Sequence, residues 1–413
     1  MNIDNRKSMK IILIAWLAYF VSYLGRTDYA TCLLEITLET GIARTSAGMV
    51  SSSFAICNAI GQIVSIFIVK KISPVKIISF ELFTVTFINL VFPTTTSVEI
   101  MAILWGVNGC IQATLLCSVT TLFTKTLKEP YLSKGMVLIN TISAVGGVFN
   151  YILSYVIMCY LTWKNVFLII STMSAVVGIA WCIIVPKATK GKITKDTIDV
   201  GVHENVSLRG LFGSNAACFA MLAGAFVGIF RNSRTLWIPT YRNDALKIDR
   251  GFAVMITASI TGSQICGSVL GEYFGKKSKN LLKLTFATFM ISVLIFLGIF
   301  IYGRTSIILT TILFIINAIC MTAALTFVLS LYPIRYFKKN EVVVLVGVIN
   351  FCVYLGDFFA STGIGWLSEN MGWDLMFGFL AICSVVVAVL CLWGGCILER
   401  QSKMQILTKE KCL

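Results

Sequence analysis

Twelve long apolar runs constrain this sequence more than any other feature. A helix needs about 20 apolar residues to cross a bilayer, and lipid leaves an open segment no other way to satisfy its backbone hydrogen bonds. Each run is long enough, so we predict an all-α membrane protein with twelve transmembrane helices. The predicted spans are residues 9–36, 46–69, 75–93, 98–124, 134–160, 164–186, 211–239, 250–274, 281–303, 305–333, 341–368 and 373–397.

Composition excludes a soluble globular protein. Hydrophobic residues make up 57% of the 413 residues and charged residues 13%, whereas soluble domains carry about 25% charged residues. The first apolar run, from Ile11, continues past about 20 residues without a small-residue cleavage site, so we expect a retained helix and no cleaved signal peptide.

The basic residues predict an orientation. With a cytoplasmic N-terminus, 25 of the 34 Lys and Arg fall in inward segments and 6, including Arg242, in outward loops. Cytoplasmic loops accumulate Lys and Arg, so both termini are predicted to be cytoplasmic. The net charge of +15 is explained in this way, and we expect no nucleic-acid partner.

The chain repeats itself weakly. Arg26 and Arg231 are 205 residues apart, and other pairs recur at 206 or 210 residues: Gly61 and Gly267, Asn140 and Asn350, Gly146 and Gly356, Trp163 and Trp373. Two duplicated six-helix bundles explain these offsets, and such repeats place the substrate site near the midplane between them. The predicted parts are an N-terminal bundle (1–186), a cytoplasmic linker (187–210) that holds the single histidine His203, a C-terminal bundle (211–397) and a cytoplasmic tail (398–413).

Charged side chains inside a membrane are costly and mark functional sites by default. Arg26 shares its helix face with Tyr19 and Tyr23, and Arg231 lies at a comparable depth in the seventh span. Each guanidinium offers a planar fork that suits a carboxylate or phosphate. A dianionic phosphate could accept hydrogen bonds from both, so the pair predicts a site for a small anion.

The alternative is that each arginine pairs with a protein carboxylate and holds helices together. Asp357 in the eleventh span is the more credible partner, because Asp28 lies two residues from Arg26 and points elsewhere on its helix. Arg234 is the remaining arginine within a span. Three further carboxylates are predicted to reach the interface and to be structural: Glu35, Glu81 and Glu272.

Polar residues elsewhere in the spans are candidates either for substrate contact or for interhelical hydrogen bonds. The predicted substrate contacts, besides the arginines and tyrosines above, are Gln62, Asn140, Ser143 and Tyr354, and the further candidates are Asn58, Asn108, Gln112 and Asn350. No disulfide and no metal site are predicted from the fourteen cysteines. Ten that lie in apolar runs are predicted to be small buried hydrophobic residues: Cys57, Cys110, Cys117, Cys182, Cys218, Cys266, Cys320, Cys352, Cys383 and Cys391.

The sequence contains no G-x-x-x-x-G-K-[ST] run, so we expect no ATP-driven step in this chain. It also has no nucleophile motif and no cluster of ligand residues. An enzyme and a bound cofactor are therefore not predicted, and transport would be driven by a gradient or by exchange.

Four local motifs resemble the major facilitator superfamily and, within it, the organophosphate:phosphate antiporters. They are Tyr23-Leu24-Gly25-Arg26; Arg231 with Trp237 and Pro239-Thr240-Tyr241; Asn140 with Val145-Gly146-Gly147; and Tyr354-Leu355-Gly356. The resemblance implies that Arg26 and Arg231 bind the phosphate group from the two halves. It also implies alternating access, inorganic phosphate as counter-substrate, a monomer and a bacterial inner-membrane location.

The sequence departs from that family's pattern around the two arginines. Thr27 and Gln62 stand where the family has Lys, Ser143 where it has His, Gln112-Ala113-Thr114 where it has Trp-Pro-Pro, Lys70-Lys71 where it has Asp-Arg, and Asp357 where it has a small residue. Three functions stay open: exchange of a phosphorylated metabolite such as glycerol 3-phosphate or a sugar phosphate; proton- or cation-coupled transport of another solute; and a transporter-like sensor of sugar phosphate.

Overall fold

The computed structural model describes residues 3–128, 130–189, 215–337 and 339–411, without the side chains of 3–5, 66, 70, 140, 215, 339, 340, 343 and 401–411. Most of the predicted linker, including His203, and the last two residues of the predicted tail therefore lie outside the described residues.

Helices make up nearly all of the described chain. The first eight are α1 (Ile3–Thr40), α2 (Arg44–Lys71), α3 (Pro74–Val91), α4 (Val98–Gln112), α5 (Leu115–Thr126), α6 (Tyr131–Asn140), α7 (Ile142–Tyr160) and α8 (Trp163–Ala188). After the linker come α9 (Asn215–Leu246), α10 (Arg250–Gly262), α11 (Gln264–Lys277), α12 (Leu281–Tyr302), α13 (Ile307–Leu325), α14 (Tyr332–Tyr336), α15 (Lys339–Asn370) and α16 (Gly372–Lys411).

Twelve helical segments in the described chain are long and apolar enough to cross a membrane, which confirms the predicted number of spans. Two helices in series form three of them: α4 with α5, α6 with α7, and α10 with α11. In a fourth, a π-helical stretch at Thr326–Leu331 joins α13 to α14. The cytoplasmic position of the termini stays a prediction.

Local sequence signals explain where several helices begin and end. Ser97 and Ser306 cap α4 and α13, each hydroxyl accepting a hydrogen bond from the backbone N–H three residues on, at 3.4 and 3.3 Å. Pro74 is the first residue of α3, where its missing N–H costs nothing. Gly41 follows the last residue of α1 with φ of +69°, a left-handed conformation that glycine adopts without a Cβ clash.

The seventh span is longer than predicted. The apolar run suggested an end near residue 239, but α9 continues through Pro239 to Leu246. Arg242, assigned to an outward loop from the sequence, lies inside this helix and is fully buried. That assignment was wrong because the segment around it, including Trp237 and Tyr241, is packed rather than exposed.

The described residues form two compact units. The N-terminal unit holds the described residues up to 189 together with Ile238–Asn243 and Ile248–Gly262, and the C-terminal unit holds 215–237, Asp244–Lys247 and the described residues from 263 onwards. Ile238–Asn243 of α9 and all of α10 thus group with the N-terminal unit. The bundle boundaries inferred from the sequence stay a prediction.

An aromatic cluster forms the core of the N-terminal unit. Phe92 stacks on Phe167 with ring centroids 4.9 Å apart and meets Trp105 at 5.0 Å. The ring of Tyr29 lies 5.4 Å from that of Trp105, and its hydroxyl donates a 2.7 Å hydrogen bond to the carbonyl of Ala47. The cluster joins α1, α2, α4 and α8 with its one phenol group satisfied.

Glycines bring helices into backbone contact in both units. A Cβ built on Gly109 of α4 would lie 2.4 Å from the Phe54 carbonyl oxygen of α2. In the C-terminal unit, a Cβ on Gly228 of α9 would lie 2.0 Å from the Val353 carbonyl oxygen, and one on Gly356 of α15 would lie 1.8 Å from that of Ala225. Close packing of small residues is what holds helices together in lipid.

The cysteines are less buried than predicted. Of the ten named above, Cys391 is buried, whereas Cys110, Cys182, Cys218 and Cys266 are exposed on helix surfaces. The prediction of burial was wrong for those four because an apolar residue of a membrane helix need not face protein. All thirteen described cysteines are free thiols.

We predict that Gly356→Ala destabilises the protein, by roughly 1–3 kcal/mol, because the added methyl group overlaps backbone that cannot move aside. Gly363→Ala is the matched control, since it lies on the same helix with nothing within 4 Å of its Cβ position. Thermal unfolding in detergent should show a lower midpoint for Gly356→Ala alone. Equal midpoints for the two variants would contradict the predicted backbone contact.

Candidate functional site

Two asparagines fix helix α1 directly before Arg26. Asn108 of α4 donates a 2.8 Å hydrogen bond to the Gly25 carbonyl, and Asn150 of α7 donates a 3.0 Å hydrogen bond to the Leu24 carbonyl. Both asparagines are fully buried, so their amide N–H groups find acceptors inside the protein. Three helices therefore determine where Arg26 lies.

The guanidinium of Arg26 lies over an aromatic ring. Its Cζ is 5.2 Å from the centroid of Phe54 of α2, a cation–π distance. Tyr19 and Tyr23, predicted on the same face, are half-buried. The Tyr23 ring packs on Gly146 of α7, where an added Cβ would lie 2.9 Å from the ring.

Other predicted polar contacts of the N-terminal unit form hydrogen bonds between or within helices. Asn58 donates to the Gly109 carbonyl at 3.0 Å, and Gln62 donates to Asn58 at 3.0 Å. Gln112 donates to Asn108 at 2.8 Å. The Asn58 bond joins α2 to α4, and Gln112 also donates to the Gly25 carbonyl of α1 at 3.5 Å, so these two residues form the interhelical hydrogen bonds considered from the sequence. The Gln62 bond lies within α2, and its role as a substrate contact stays a prediction.

For Ser143 and Asn140, two predicted substrate contacts, the structure gives only their position on a helix and the exposure of Ser143. Ser143 is exposed on α7. Asn140 is the last residue of α6, but its side chain lies outside what the structure describes. Their role as substrate contacts stays a prediction.

Two carboxylates of the N-terminal unit are fully buried. Asp28 accepts a 2.7 Å hydrogen bond from the Tyr29 backbone N–H, and the described residues give it no ion pair. Glu81 accepts a 2.5 Å hydrogen bond from the Ser22 hydroxyl. The prediction that Glu81 reaches the interface was wrong, because it lies about two turns inside α3, which begins at Pro74.

Arg231 of α9 forms an ion pair with Asp357 of α15 through Nη2 and Oδ2. Its Cζ also lies 5.7 Å from the ring centroid of Tyr354, one turn earlier on α15. The side chain of Arg231 is 31% exposed and that of Asp357 is 10% exposed. An ion pair of this kind was the alternative to an anion site in the sequence analysis. Solvent reaches it through the partly exposed side chain of Arg231.

The backbone around this ion pair is held by side chains that the sequence did not single out. Asn232 donates to the Asp357 carbonyl at 2.7 Å and to the Ser361 hydroxyl at 2.6 Å. Ser361 in turn donates to the same carbonyl at 2.9 Å. The sequence could have identified them as candidates, since Asn232 directly follows Arg231 and Ser361 lies one helical turn after Asp357.

Arg234 belongs to a different network. It is buried, and its Nη1 donates a 3.1 Å hydrogen bond to Asn317 of α13, which donates to Ser292 of α12 at 3.1 Å. Three residues after Arg231, it joins α9 to two other helices. This contact supports a structural role.

The remaining ion pairs lie near helix ends. Glu35 of α1 pairs with Arg250 of α10 at 3.2 Å, and Arg304 forms a two-bond pair with Asp374 at 2.6 and 3.2 Å. Among the described residues no group of three or more His, Cys, Asp or Glu side chains is placed to hold a metal ion.

Solved membrane transporters share this fold. A bacterial homolog of the human lysosomal transporter Spinster, in its inward-facing and occupied conformation, superposes with a TM-score of 0.76 at 13% identity, over 96% of this chain and 97% of that one. The nucleoside transporter NupG (D323A mutant) gives 0.76 at 15%, over 93% and 99%. A peptide transporter POT mutant in complex with sulfate gives 0.77 at 9%, over 94% and 95%.

A curated relative matches part of the chain. The membrane sensor protein UhpC of Escherichia coli (strain K12) is 25% identical over 176 residues, which are 42% of this chain and 39% of that protein. The match therefore spans about two fifths of the relative's length.

The family model of the Major Facilitator Superfamily matches residues 15–361, that is 347 of 413 residues. The chain thus belongs to the Major Facilitator Superfamily, a family of multi-pass membrane transporters and not of enzymes.

Proposed function

We propose that this protein is a secondary active transporter that exchanges a phosphorylated small metabolite for inorganic phosphate by alternating access. One observation carries the proposal. Arg26 and Arg231 occupy equivalent positions of the sequence repeat, and each guanidinium lies over an aromatic ring from another helix of its own unit, Phe54 and Tyr354 respectively.

This arrangement suits an oxyanion. A ring contacts the flat face of a guanidinium, whereas the N–H donors lie in its plane and form the fork that matches carboxylate or phosphate oxygens. Arg231 already donates through Nη2 to one carboxylate oxygen, Oδ2 of Asp357. A phosphate group offers several charged oxygens to such a fork, which is why we favour a phosphorylated substrate over a neutral one.

The substrate that we propose is glycerol 3-phosphate or a sugar phosphate, with inorganic phosphate as the counter-substrate. The further contacts proposed are Tyr19, Tyr23, Gln62, Asn140, Ser143 and Tyr354. The proposed setting is a monomer in the bacterial inner membrane with cytoplasmic termini, driven without a bound cofactor and without a nucleic-acid partner.

A second candidate function is a transporter-like sensor. The partial match to a membrane sensor protein favours it, because a sensor would keep the ligand-binding arginines. A third, cation-coupled transport of another solute, draws on the membrane-buried acids Asp28 and Asp357.

We predict that Arg26→Lys and Arg231→Lys each reduce phosphate/organophosphate counterflow in proteoliposomes at least about tenfold, since lysine keeps the charge but loses the planar fork. Arg304→Lys is the control, because Arg304 is also ion-paired in the native protein but lies 61% exposed at a helix end. Undiminished exchange in both test variants would exclude the anion site.

The same preparation separates the candidates. Binding of a sugar phosphate without measurable flux in the native protein would identify a sensor. Flux that collapses when the proton or sodium gradient is abolished would identify cation coupling.

We predict that Asn108→Ala weakens organophosphate binding and lowers the unfolding midpoint. Its amide donates the shorter of two α4 hydrogen bonds to the carbonyl before Arg26, at 2.8 Å against 3.5 Å from Gln112, and losing a buried hydrogen bond costs about 1–3 kcal/mol. Asn165→Ala is the control, since Asn165 bonds only locally to Thr162 at an exposed position. An effect on stability with unchanged binding would show that Asn108 does not position Arg26.

A further inference from the structure

Close backbone contact between α9 and α15 holds the side chains of Arg231 and Asp357 next to each other. Gly228 lies three residues before Arg231, and Gly356 directly precedes Asp357. Each glycine meets backbone of the opposite helix, with a built Cβ 2.0 and 1.8 Å from a carbonyl oxygen. Two helices this close place side chains of adjacent positions in direct contact, and those side chains are the ion pair.

The main chain that carries Asp357 is also pinned. Its carbonyl accepts hydrogen bonds from Asn232 across the helix pair at 2.7 Å and from Ser361 on its own helix at 2.9 Å. The carboxylate can rotate about its side-chain bonds, but the backbone keeps it beside Arg231. A ligand that occupies Arg231 will therefore always find this carboxylate next to it.

The sequence repeat shows that this acid belongs to one half alone. At the offset of 210 that relates Gly146 to Gly356, the counterpart of Asp357 is Gly147. A Cβ on Gly147 would lie 2.9 Å from the Thr261 side chain, so the position has no room for a carboxylate without rearrangement. The two repeated arginines thus have different surroundings, because the half that holds Arg231 has an aspartate where the half that holds Arg26 has a glycine.

Displacing Asp357 has an energetic consequence. Removing one partner from a buried ion pair leaves an uncompensated charge and is strongly unfavourable. Asp357 is 10% exposed, so water compensates it poorly once Arg231 turns to a ligand. A ligand that supplies a hydrogen-bond donor next to its oxyanion satisfies both side chains at once.

We infer that Asp357 is a specificity-determining residue that selects phosphate monoesters carrying a hydroxyl group near the phosphate. The phosphate oxygens replace Asp357 at Arg231, and the ligand hydroxyl donates to the released carboxylate. This inference rests on the proposed function, because it takes a phosphate group as the part of the ligand that Arg231 binds.

The test compares two ligands that differ in hydroxyl groups. Methyl phosphate carries the monoester without a hydroxyl, and glycerol 3-phosphate adds two. Affinities are measured by titration calorimetry on the full-length protein in lipid nanodiscs, for the native chain, Asp357→Asn and Asp374→Asn. Asp374 is the matched control, because it is the aspartate of another Arg–Asp pair in the same unit.

We expect the native protein to prefer glycerol 3-phosphate. In Asp357→Asn the affinity for methyl phosphate should rise about tenfold, or about 1.4 kcal/mol, because the carboxylate that competes for Arg231 is gone. The preference for the hydroxylated ligand should shrink by a similar factor. Asp374→Asn should match the native protein. If Asp357→Asn does not fold, Asp357→Ala carries the same expectation with a smaller side chain.

Different failures have different meanings. Phosphate esters that bind the native protein and lose affinity in Arg231→Lys, but bind Asp357→Asn no more tightly than the native chain, would overturn this inference and leave the proposed function standing. Absence of binding by every phosphate ester, in the native chain and in all variants, would overturn both.

Discussion

Lipid offers no hydrogen-bond partners, and this constraint explains where many buried polar side chains of the described helices lie. The asparagines of α4 and α7 turn inward to the carbonyls of α1. Asn317 links Arg234 to Ser292, and Ser22 donates to the buried Glu81. Polar residues that looked like candidate ligand contacts in the sequence thus form interhelical bonds in several cases, because each buried amide needs a partner.

The same constraint gives the small residues their importance. Helices in lipid gain little from apolar burial against one another, so they associate by close packing. Gly109 of α4 meets α2 in this way, and Gly228 and Gly356 do so for α9 and α15. The contact between α9 and α15 also brings Arg231 against Asp357. In the C-terminal unit, the same glycine packing that joins two helices therefore positions the candidate site.

Much of the fold could be predicted from the sequence because membrane helices can be identified by their length and hydropathy. The twelve spans match the predicted runs closely, and the main error was the end of α9. There, the buried Arg242 was taken for a loop residue, because a charge and a proline usually end an apolar run. Burial of Glu81 was missed for a related reason: its position along α3 is visible in the sequence, but which side of α3 is covered by α1 is not.

The sequence by itself determined the helical class, the number of spans and the two repeated arginines, because these depend on composition and spacing along one chain. Tertiary structure decided what each charged group touches. Asp28 and Asp357 are both acids within spans, yet one accepts from its own neighbour's backbone and the other pairs with Arg231. That outcome depends on how closely two distant helices approach, and the approach is set by glycines whose contacts exist only in the folded protein.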